Sequence, residues 1–576
     1  MAYRGDKVYT GDEKIVIGFD IGTTMSAASY SHLSKGAYPV VEMFPTLALY
    51  DGSRCVACGE EALNYDSADD HEQMAKWFKL HMHPASLKDW TVNIPPLPNG
   101  ISIQRVYQDI MDYMLKNTQS HFEKKVVNGA SIWRRNRNSM TFIFAIPNAW
   151  GHSQQQTLRQ AAIDAGLFPS SKADSLVRFV TEGEASVHFV SVYGSMRHWL
   201  SVGSTFGVVD AGGSTTDSTL YTCTQVSLGI VLKEASMSEC VQAAGVNVDD
   251  VLGQVLQARL ANSRFGDKDN IKAMVEEFEK KTKRLFNGNT NKNVIKFGGS
   301  RDTDRNLGIL KGQISLSKEE VLATFKPVSE NIVNSIRRLI SSKRPQYLLL
   351  VGGFGESPYL RSELSRIFGS QGIEVITVEQ PTKKAAAEGA VVWYLRNMVK
   401  TRIARETYGT DVNCIYNQLR HNERSDQVYT APDGLTRISG VFDPWVEKGT
   451  PVEDGFTYTV GYLTTWPKEA HSKPSLGVKE VQVYKWEADT IPLWVLQKNR
   501  SLMPGFHYIC TVQADLSHLV PHGLAVEKGP KGKYWKLDYQ IAVTLPIGGA
   551  QLQARLQWYE KGILKQGPAT TILEFN

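Results

Sequence analysis

Two stretches of the chain share an order of residue types suited to holding phosphate groups and a metal ion. "IVIGFDIGTTMSAASY" (15–30) and "FGVVDAGGSTTDSTLY" (206–221) each run from an apolar strand through an aspartate into a glycine-containing turn with Thr and Ser. Glycine lets backbone N–H groups approach phosphate oxygens, and the hydroxyls add donors. A carboxylate repels phosphate but suits a hydrated Mg²⁺ ion. The matching aspartates, Asp20 and Asp210, predict two similar lobes that face a cleft.

A third stretch, "YLLLVGGFGESPYLRSELSRIF" (347–368), predicts a buried strand, the glycine pair Gly352–Gly353 and a helix. Leu360, Leu364 and Ile367 form the apolar face of that helix. The glycine pair would let a flat ring or a ribose lie against bare backbone, and a tight strand-to-helix turn is the alternative. Neither GxGxxG nor GxxxxGK[ST] occurs here, so neither a Rossmann nor a P-loop site is indicated.

The sequence pattern divides the chain into two parts, and the first part contains all three loops. Residues 15–402 alternate apolar strands such as "TFIFAI" with helical patterns such as "SIQRVYQDIMDYMLKN", which predicts an α/β domain. Residues 403–576 alternate polar and apolar positions with period two, as in "QLQARLQWYEKG", where Leu552, Ala554, Leu556 and Trp558 share one side. This second part is predicted to be an all-β domain, and residues 1–14 a flexible N-terminal tail.

Composition limits the classes of function. The 576 residues are 42% hydrophobic and 21% charged, with a formal net charge of +5, which is ordinary for a globular protein of about two to four domains. The charge gives no strong case for nucleic acid. The polar start predicts no signal peptide, and no apolar run reaches the ~18 residues of a membrane helix. We therefore expect a cytoplasmic protein with no membrane or nucleic-acid partner.

Two short motifs could carry chemistry of another kind. The CxxC formed by Cys55 and Cys58 has no second pair at metal spacing, which favours packing at a strand end over a zinc or redox role. His81 and His83 in "HMHP" likewise lack further ligands and are predicted to be surface or capping residues.

Taken together, the loop motifs resemble the heat-shock 70 chaperone family of the actin-like ATPase superfamily. "FDIGTT" is similar to its first phosphate loop, "VVDAGGSTTD" to its second and "LLLVGGFGESPYL" to its adenosine loop. "IPNAWGHSQQQTLRQAAIDAGL" and "VTEGEASV" look like its connecting region, and "GVFDPWVEKGTPVEDGFTYTV" resembles the start of its substrate domain. "WFKLHMHP" and "RIARETYG" look like a divergent branch rather than the housekeeping chaperones.

The resemblance implies an actin-like (ribonuclease H-like), two-lobed ATPase domain over 15–402 and a β-sandwich substrate-binding-like domain over 403–576. It implies ATP or ADP with Mg²⁺ as cofactors and slow ATP hydrolysis. The implied partners are unfolded peptides or one dedicated client protein, and the involvement of co-chaperones is left open. Because the sequence stops at Asn576, no helical lid is expected.

The resemblance also assigns the site residues. Asp20 and Asp210 would hold Mg²⁺ through water, and the implied catalytic set is Asp20, Lys79, Glu182, Asp210 and Thr215. Lys76 is an alternative to Lys79. The residues implied to bind nucleotide are Gly22, Thr23, Thr24, Gly212, Gly213, Ser214, Thr215, Lys280, Lys283, Arg284, Gly352, Gly353 and Phe354. The helix that carries Lys280, Lys283 and Arg284 is offset by one residue from the family pattern, so these three remain alternatives.

Three departures from the family concern the relay between its two domains. Gly183 stands where the family has proline, Gln155 where it has arginine, and "MVKTRIARETYG" replaces the acidic–apolar linker. We therefore expect nucleotide to change peptide affinity only slightly. The alternative functions are a metabolite kinase on the same fold, because fold does not fix function, and an actin-like filament former.

Overall fold

The computed structural model describes two compact units of the chain, divided after Val399, whereas the sequence predicted a boundary after residue 402. Residues 1–11 of the predicted tail lie outside the described residues, and the first strand begins at Lys14. The described residues are 12–33, 40–65, 72–87, 94–194, 196–227, 229–378, 382–453, 455–468, 476–519, 524–545, 551–560 and 562–574.

The N-terminal unit is a mixed α/β structure, as predicted. Its strands, in chain order, are β1 (Lys14–Ile21), β2 (Met25–Leu33), β3 (Val40–Pro45), β4 (Leu47–Asp51), β5 (Arg54–Cys58), β6 (Glu72–Lys76), β7 (Thr141–Ile146), β8 (Val177–Thr181), β9 (Thr205–Ala211), β10 (Thr216–Gln225), β11 (Val231–Glu234), β12 (Glu239–Val241), β13 (Lys292–Lys296), β14 (Ile309–Leu310), β15 (Gln313–Ser317), β16 (Tyr347–Val351) and β17 (Glu374–Thr377).

The helices of this unit cover the stretches with helical periodicity. The α-helices are Gly59–Leu63, Ile103–Lys125, Gly129–Asn136, His152–Asp164, Ala173–Leu176, Glu182–Tyr193, Met196–Trp199, Gly245–Leu260, Lys268–Glu277, Lys283–Leu285, Lys318–Leu339, Pro358–Gly369 and Ala385–Arg396. Shorter 3₁₀ helices are Phe78–Met82, Ala85–Leu87, Ser170–Lys172 and Thr382–Lys384, and Phe278–Thr282 is a π-helical turn. Within the described ranges, no helix is long and apolar enough to cross a bilayer.

Two five-stranded arrangements in this unit repeat one topology. The first runs β3-β2-β1-β7-β8, and the second runs β11-β10-β9-β16-β17. In both, a hairpin of antiparallel strands continues into two parallel strands. Asp20 pairs with Ala145 and Asp210 with Val351 at the carboxyl ends of parallel strands, which is where open α/β sheets bind ligands.

Burial on both faces explains the continuous apolar runs in the second sheet. Val208 and Leu349 belong to one core cluster, whereas their neighbours Val209 and Leu350 belong to the cluster on the opposite face. Successive strand residues point to opposite faces, so a sheet covered on both sides needs apolar residues at consecutive positions. These apolar runs therefore form the buried strands β9 and β16, which lead into the second and third glycine loops.

The C-terminal unit is built almost entirely of strands. In chain order they are β18 (Val399–Ile403, which begins at the division), β19 (Thr407–Ile415), β20 (Tyr429–Thr430), β21 (Thr436–Val446), β22 (Pro451–Glu453), β23 (Thr457–Pro467), β24 (Val478–Trp486), β25 (Phe506–Asp515), β26 (Ala525–Gly529), β27 (Gly532–Thr544), β28 (Gln551–Glu560), β29 (Ile563–Gln566) and β30 (Thr570–Glu574). Short helices at Gln418–His421, Asn422–Gln427 and Ser517–Leu519 join some of them.

Two sheets in the C-terminal unit share one hydrophobic core. One has the order β20-β21-β19-β24-β25, and the other the order β23-β27-β28-β29 with β26 on β27 and β30 on β28. Val483 and Val512 of the first sheet belong to the same core as Ile541 and Val543 of the second. Leu552, Ala554, Leu556 and Trp558 are buried on one side of β28, as their period-two spacing predicted.

Candidate nucleotide site

A cavity of about 320 Å³ in the N-terminal unit brings the predicted loops together. Its volume is at the small end of the range for small-molecule sites. The predicted site residues that line it are Asp20, Gly22, Thr23, Thr24, Lys79, Glu182, Asp210, Gly212, Gly213, Ser214, Thr215, Lys283, Arg284, Gly352, Gly353 and Phe354. Lys280 is exposed and is not among the described residues that line the cavity.

The two glycine turns contact each other across the cavity. Each aspartate is the penultimate residue of its strand, β1 or β9, and a short turn follows. The hydroxyls of Thr23 and Ser214 are hydrogen-bonded at 2.6 Å. A Cβ on Gly213 would lie 3.2 Å from the Cβ of Thr23. Small residues are therefore needed for the two turns to come this close. The hydroxyls of Thr23 and Ser214, which follow the two aspartates, are buried where the turns meet.

The third loop is held against the second by its glycine. Gly352 has a φ of +85°, and a Cβ there would lie 2.3 Å from Oδ1 of Asp210 and 2.5 Å from the carbonyl oxygen of Ala211. That carbonyl accepts the N–H of Phe354 at 2.8 Å. The Phe354 ring is buried near Phe325, with ring centroids 6.3 Å apart. The glycine pair thus provides a bare backbone surface beside Asp210.

Charged groups are crowded at the other side of the cavity. Nζ of Lys79 donates to Oε1 of Glu182 at 2.7 Å, and both side chains are buried. Burial and the charge of Glu182 raise the pKa of Asp20 to about 7, against the opposing effect of Lys79. Burial and Glu182 also raise the pKa of Asp210 well above its usual range, although Ser186 donates a hydrogen bond to it. The carboxylates thus repel one another where water is scarce.

The crowding fits a hydrated divalent cation. Within the described residues, no group of three or more His, Cys, Asp or Glu side chains is placed to bind a metal directly. Asp20 and Asp210 offer carboxylates on two sides of the same cavity. A Mg²⁺ ion that keeps several waters needs only one or two carboxylates together with ligand phosphates. A positive charge between these aspartates would offset the repulsion that raises their pKa values.

Asp217 is a buried acid that was not predicted to be a site residue. It lies directly opposite Asp210 in the β9–β10 hairpin. The backbone N–H of Asn148 donates to its Oδ1 at 2.6 Å. Burial and Glu182 raise the pKa of Asp217 to about 7. The signal was visible as the second aspartate of "DAGGSTTD", at a spacing that returns it to its partner across a hairpin.

The basic helix contains a π-helical turn. The helix Lys268–Glu277 continues through the π turn Phe278–Thr282 into Lys283–Leu285. A π turn contains one extra residue and is often found at functional sites. Lys283, rather than Lys280, faces the cavity; its Nζ donates to the carbonyl oxygen of Gly245 at 3.2 Å and to Asp249.

His83 is buried, contrary to the surface or capping role predicted for it. Nε2 of His83 lies 3.3 Å from Oγ of Ser214, and the indole N–H of Trp150 donates to Nδ1 at 3.2 Å. His81 is exposed, as predicted, and its Nε2 lies 2.9 Å from the carbonyl oxygen of Pro95. Trp150, His83 and Ser214 come from distant parts of the sequence, so no local sequence pattern could predict this series of side-chain contacts.

Further lining residues were not predicted. They are Met25, Gly245, Val246, Glu279, Glu356, Ser357, Thr382 and Ala386. Thr382 is held against the loop that follows β16. Its hydroxyl donates to the carbonyl oxygen of Gly352 at 3.1 Å, and its N–H donates to Glu356 at 3.0 Å. Gly245 and Val246 begin the helix Gly245–Leu260, whose N-terminal end carries partial positive charge.

The whole chain was compared with known protein families and with curated proteins. No model of a protein family matches the chain. The chain is 22% identical to Heat shock 70 kDa protein 12A of Homo sapiens, over 83% of this chain and 82% of that protein. The same values hold for Heat shock 70 kDa protein 12A of Mus musculus. The chain is thus similar, at low identity, to proteins of the heat-shock 70 type. The resemblance predicted from "WFKLHMHP" and "RIARETYG", to the branch typified by heat-shock 70 kDa protein 12, is confirmed.

Proposed function

We propose that the N-terminal unit is an actin-like (ribonuclease H-like), two-lobed domain that binds ATP or ADP with Mg²⁺. The observation that carries the proposal is that two hairpins of matching topology direct Asp20 and Asp210 into one cavity. The similarity to Heat shock 70 kDa protein 12A supports the same conclusion. The glycine loop at 352–353 completes a wall of backbone on which an adenosine can lie.

Each lining group has a role in this proposal. Thr23, Thr24, Ser214 and Thr215 donate hydroxyl or backbone hydrogen bonds to phosphate oxygens. Lys79 offsets negative charge on the terminal phosphate, and Glu182 holds its ammonium in position. Asp20 and Asp210 hold the metal through its waters. When bound, Mg²⁺ would neutralise phosphate charge and orient the phosphates.

We further propose slow ATP hydrolysis. Phosphoryl transfer depends mainly on positioning and charge stabilisation. Asp210, Glu182 and Asp20 lie around one cavity and can orient an attacking water by hydrogen bonds. Lys79 is buried, and although burial lowers its pKa, the charges of Glu182 and Asp20 outweigh that effect and the pKa is raised. Lys79 therefore remains a cation at neutral pH.

For the C-terminal unit we propose a β-sandwich that holds an extended peptide segment or a dedicated protein partner. Two sheets with a common core support this proposal. A sheet edge can bind an extended segment through backbone hydrogen bonds, with side chains in alternating pockets. The protein as a whole would then be chaperone-like.

Calorimetric titration of the full chain with Mg-ATP and Mg-ADP tests the proposal. Lys79→Met should weaken ATP binding by about tenfold or more, and ADP binding less, because the lost charge faces the terminal phosphate. Lys76→Met is the matched control, since Lys76 is half-exposed and pairs with Glu276 at 3.8 Å. Absence of nucleotide binding by the wild-type chain would end the proposal. Equal losses in the two variants would remove only the role of Lys79.

A further inference from the structure

The CxxC motif lies at an irregularity in a β-hairpin. In the β4–β5 pair, Leu49 is opposite Ala57 and Tyr50 is opposite Cys55, so Val56 is an extra residue in β5. In a regular strand, residues three apart point to opposite faces. A bulge with one extra residue changes that alternation. The bulge therefore brings Cys55 and Cys58 to the same side of the hairpin.

The two sulfur atoms are in contact. Sγ of Cys55 lies 3.4 Å from Sγ of Cys58, and the two thiols are free. Cys55 is half-buried, whereas Cys58 is 6% exposed. Cys55 is therefore the more exposed residue of the pair, and Cys58 is buried next to it. Cys58 belongs to a hydrophobic core of the N-terminal unit and Cys55 packs against that core, in line with the predicted packing role. The contact between the two sulfur atoms is a further feature that packing alone does not require.

The hydrogen bond within the pair favours a thiolate at Cys55. A hydrogen bond with Cys58 lowers the pKa of Cys55, and the nearby guanidinium of Arg105 acts in the same direction, against burial and Asp109. The hydrogen bond with Cys55 and burial raise the pKa of Cys58. Burial raises the pKa of the other cysteines, Cys223, Cys240, Cys414 and Cys510.

We propose that Cys55 and Cys58 form a redox-active dithiol that peroxide oxidises to an intramolecular disulfide. The Cys55 thiolate attacks one oxygen of hydrogen peroxide, the O–O bond breaks, and hydroxide leaves to become water. Cys55 is then a sulfenic acid. Sγ of Cys58 attacks Sγ of Cys55, the S–S bond forms, the thiol proton is lost and a second water leaves. Overall, two thiols and one peroxide give one disulfide and two waters.

The test uses the reduced full-length chain treated with hydrogen peroxide, followed by alkylation of remaining thiols and peptide mass mapping. The wild-type protein should lose two hydrogen atoms between Cys55 and Cys58, reversibly with dithiothreitol. The reaction should be at least about tenfold faster in the folded chain than in urea, because folding holds the sulfur atoms together. Equal rates in both states, or oxidation elsewhere without this disulfide, would overturn the proposal.

Two variants and one control identify the attacking thiol. Cys58→Ser should stop at a sulfenic acid on Cys55, which dimedone traps, and Cys55→Ser should leave Cys58 unoxidised. Cys510→Ser should behave as wild type, because Cys510 is half-buried with a pKa raised by burial to about 11. If Cys58→Ser is labelled at Cys510 as fast as at Cys55, the proposal is wrong. Thermal unfolding checks that each variant is folded.

Discussion

The fit of Gly352 beside Asp210 can be tested by adding a single methyl group. In Gly352→Ala, the new Cβ would lie 2.3 Å from Oδ1 of Asp210 and 2.5 Å from the carbonyl oxygen of Ala211. Neither group can remain where it is, so the Asp210 carboxylate and the backbone of the third loop must shift. We expect Gly352→Ala to lose most of its response to Mg-ATP.

Gly203→Ala separates this effect from simple backbone strain. Gly203 has a φ of +89°, close to the +85° of Gly352, but a Cβ there would meet no atom within 4 Å. Both substitutions force an L-residue into the left-handed region, at a cost of about 1–2 kcal/mol each. Both variants should therefore unfold earlier than wild type in the absence of nucleotide, and only Gly352→Ala carries the additional clash.

The assay is thermal unfolding with and without Mg-ATP. A ligand at 100 times its Kd stabilises the folded state by about 2.7 kcal/mol, which is a rise in Tm on the order of a few degrees. Wild type and Gly203→Ala should show the full rise. If folded Gly352→Ala shows it too, the nucleotide does not lie against Gly352. If Gly203→Ala loses the rise in Tm, the loss reflects general backbone strain, and the inference about Gly352 is wrong.

Three further predictions concern Asp210 and Asp20, which line the cavity, and His83, whose Nε2 lies 3.3 Å from the Ser214 hydroxyl. Asp210→Asn should slow single-turnover ATP hydrolysis by about tenfold or more, and a wild-type rate would contradict this. It should also raise the stability of the nucleotide-free chain at neutral pH, because it removes a buried acid whose raised pKa opposes folding there. The pKa of Asp20 is raised from 3.8 to about 7 in the folded state. Between these pH values the folded state therefore binds more protons than the unfolded state. The free energy of unfolding should fall as pH rises from about 4 to about 7. Asp20→Asn should flatten that fall in urea titrations, and an unchanged slope would assign it to other groups. His83→Gln removes the contact with the Ser214 hydroxyl and should weaken Mg-ATP binding by about tenfold at most, the worth of one hydrogen bond. Exposed His81→Gln should leave calorimetric affinity unchanged, and equal effects of the two substitutions would show that the contact between His83 and Ser214 does not support binding.

The sequence predicted the site wherever its residues are consecutive. Each hairpin loop contains its own aspartate, glycines and hydroxyls, so the order of residue types records the geometry directly. The apolar runs before Asp20 and Asp210 are strands in the structure, and the Gly352–Gly353 turn follows β16 as expected. Local information was sufficient because the loops are short and the strands are buried on both faces.

Sequence reasoning failed where partners come from separate segments or where the backbone departs from its regular period. His83 depends on Trp150 and Ser214, which are distant in sequence. In the helix that contains the π turn Phe278–Thr282, Lys283 lines the cavity and Lys280 does not, although the sequence left both as alternatives. Val56 is an extra residue in β5, and a regular period would separate the two cysteines. In each case, one residue of backbone irregularity or one long-range contact decides the outcome.

Gly183 shows that a departure from a family pattern can be a local necessity rather than a loss. A Cβ at Gly183 would lie 2.7 Å from Oγ1 of Thr219 and 3.2 Å from the side-chain nitrogen of Asn148. That nitrogen donates to Oγ1 of Thr219 at 3.3 Å, and the backbone N–H of Asn148 binds Asp217. A proline ring at position 183 would occupy the space that this polar bridge fills. Introducing proline alone would therefore break the bridge between the segment after β7 and strand β10.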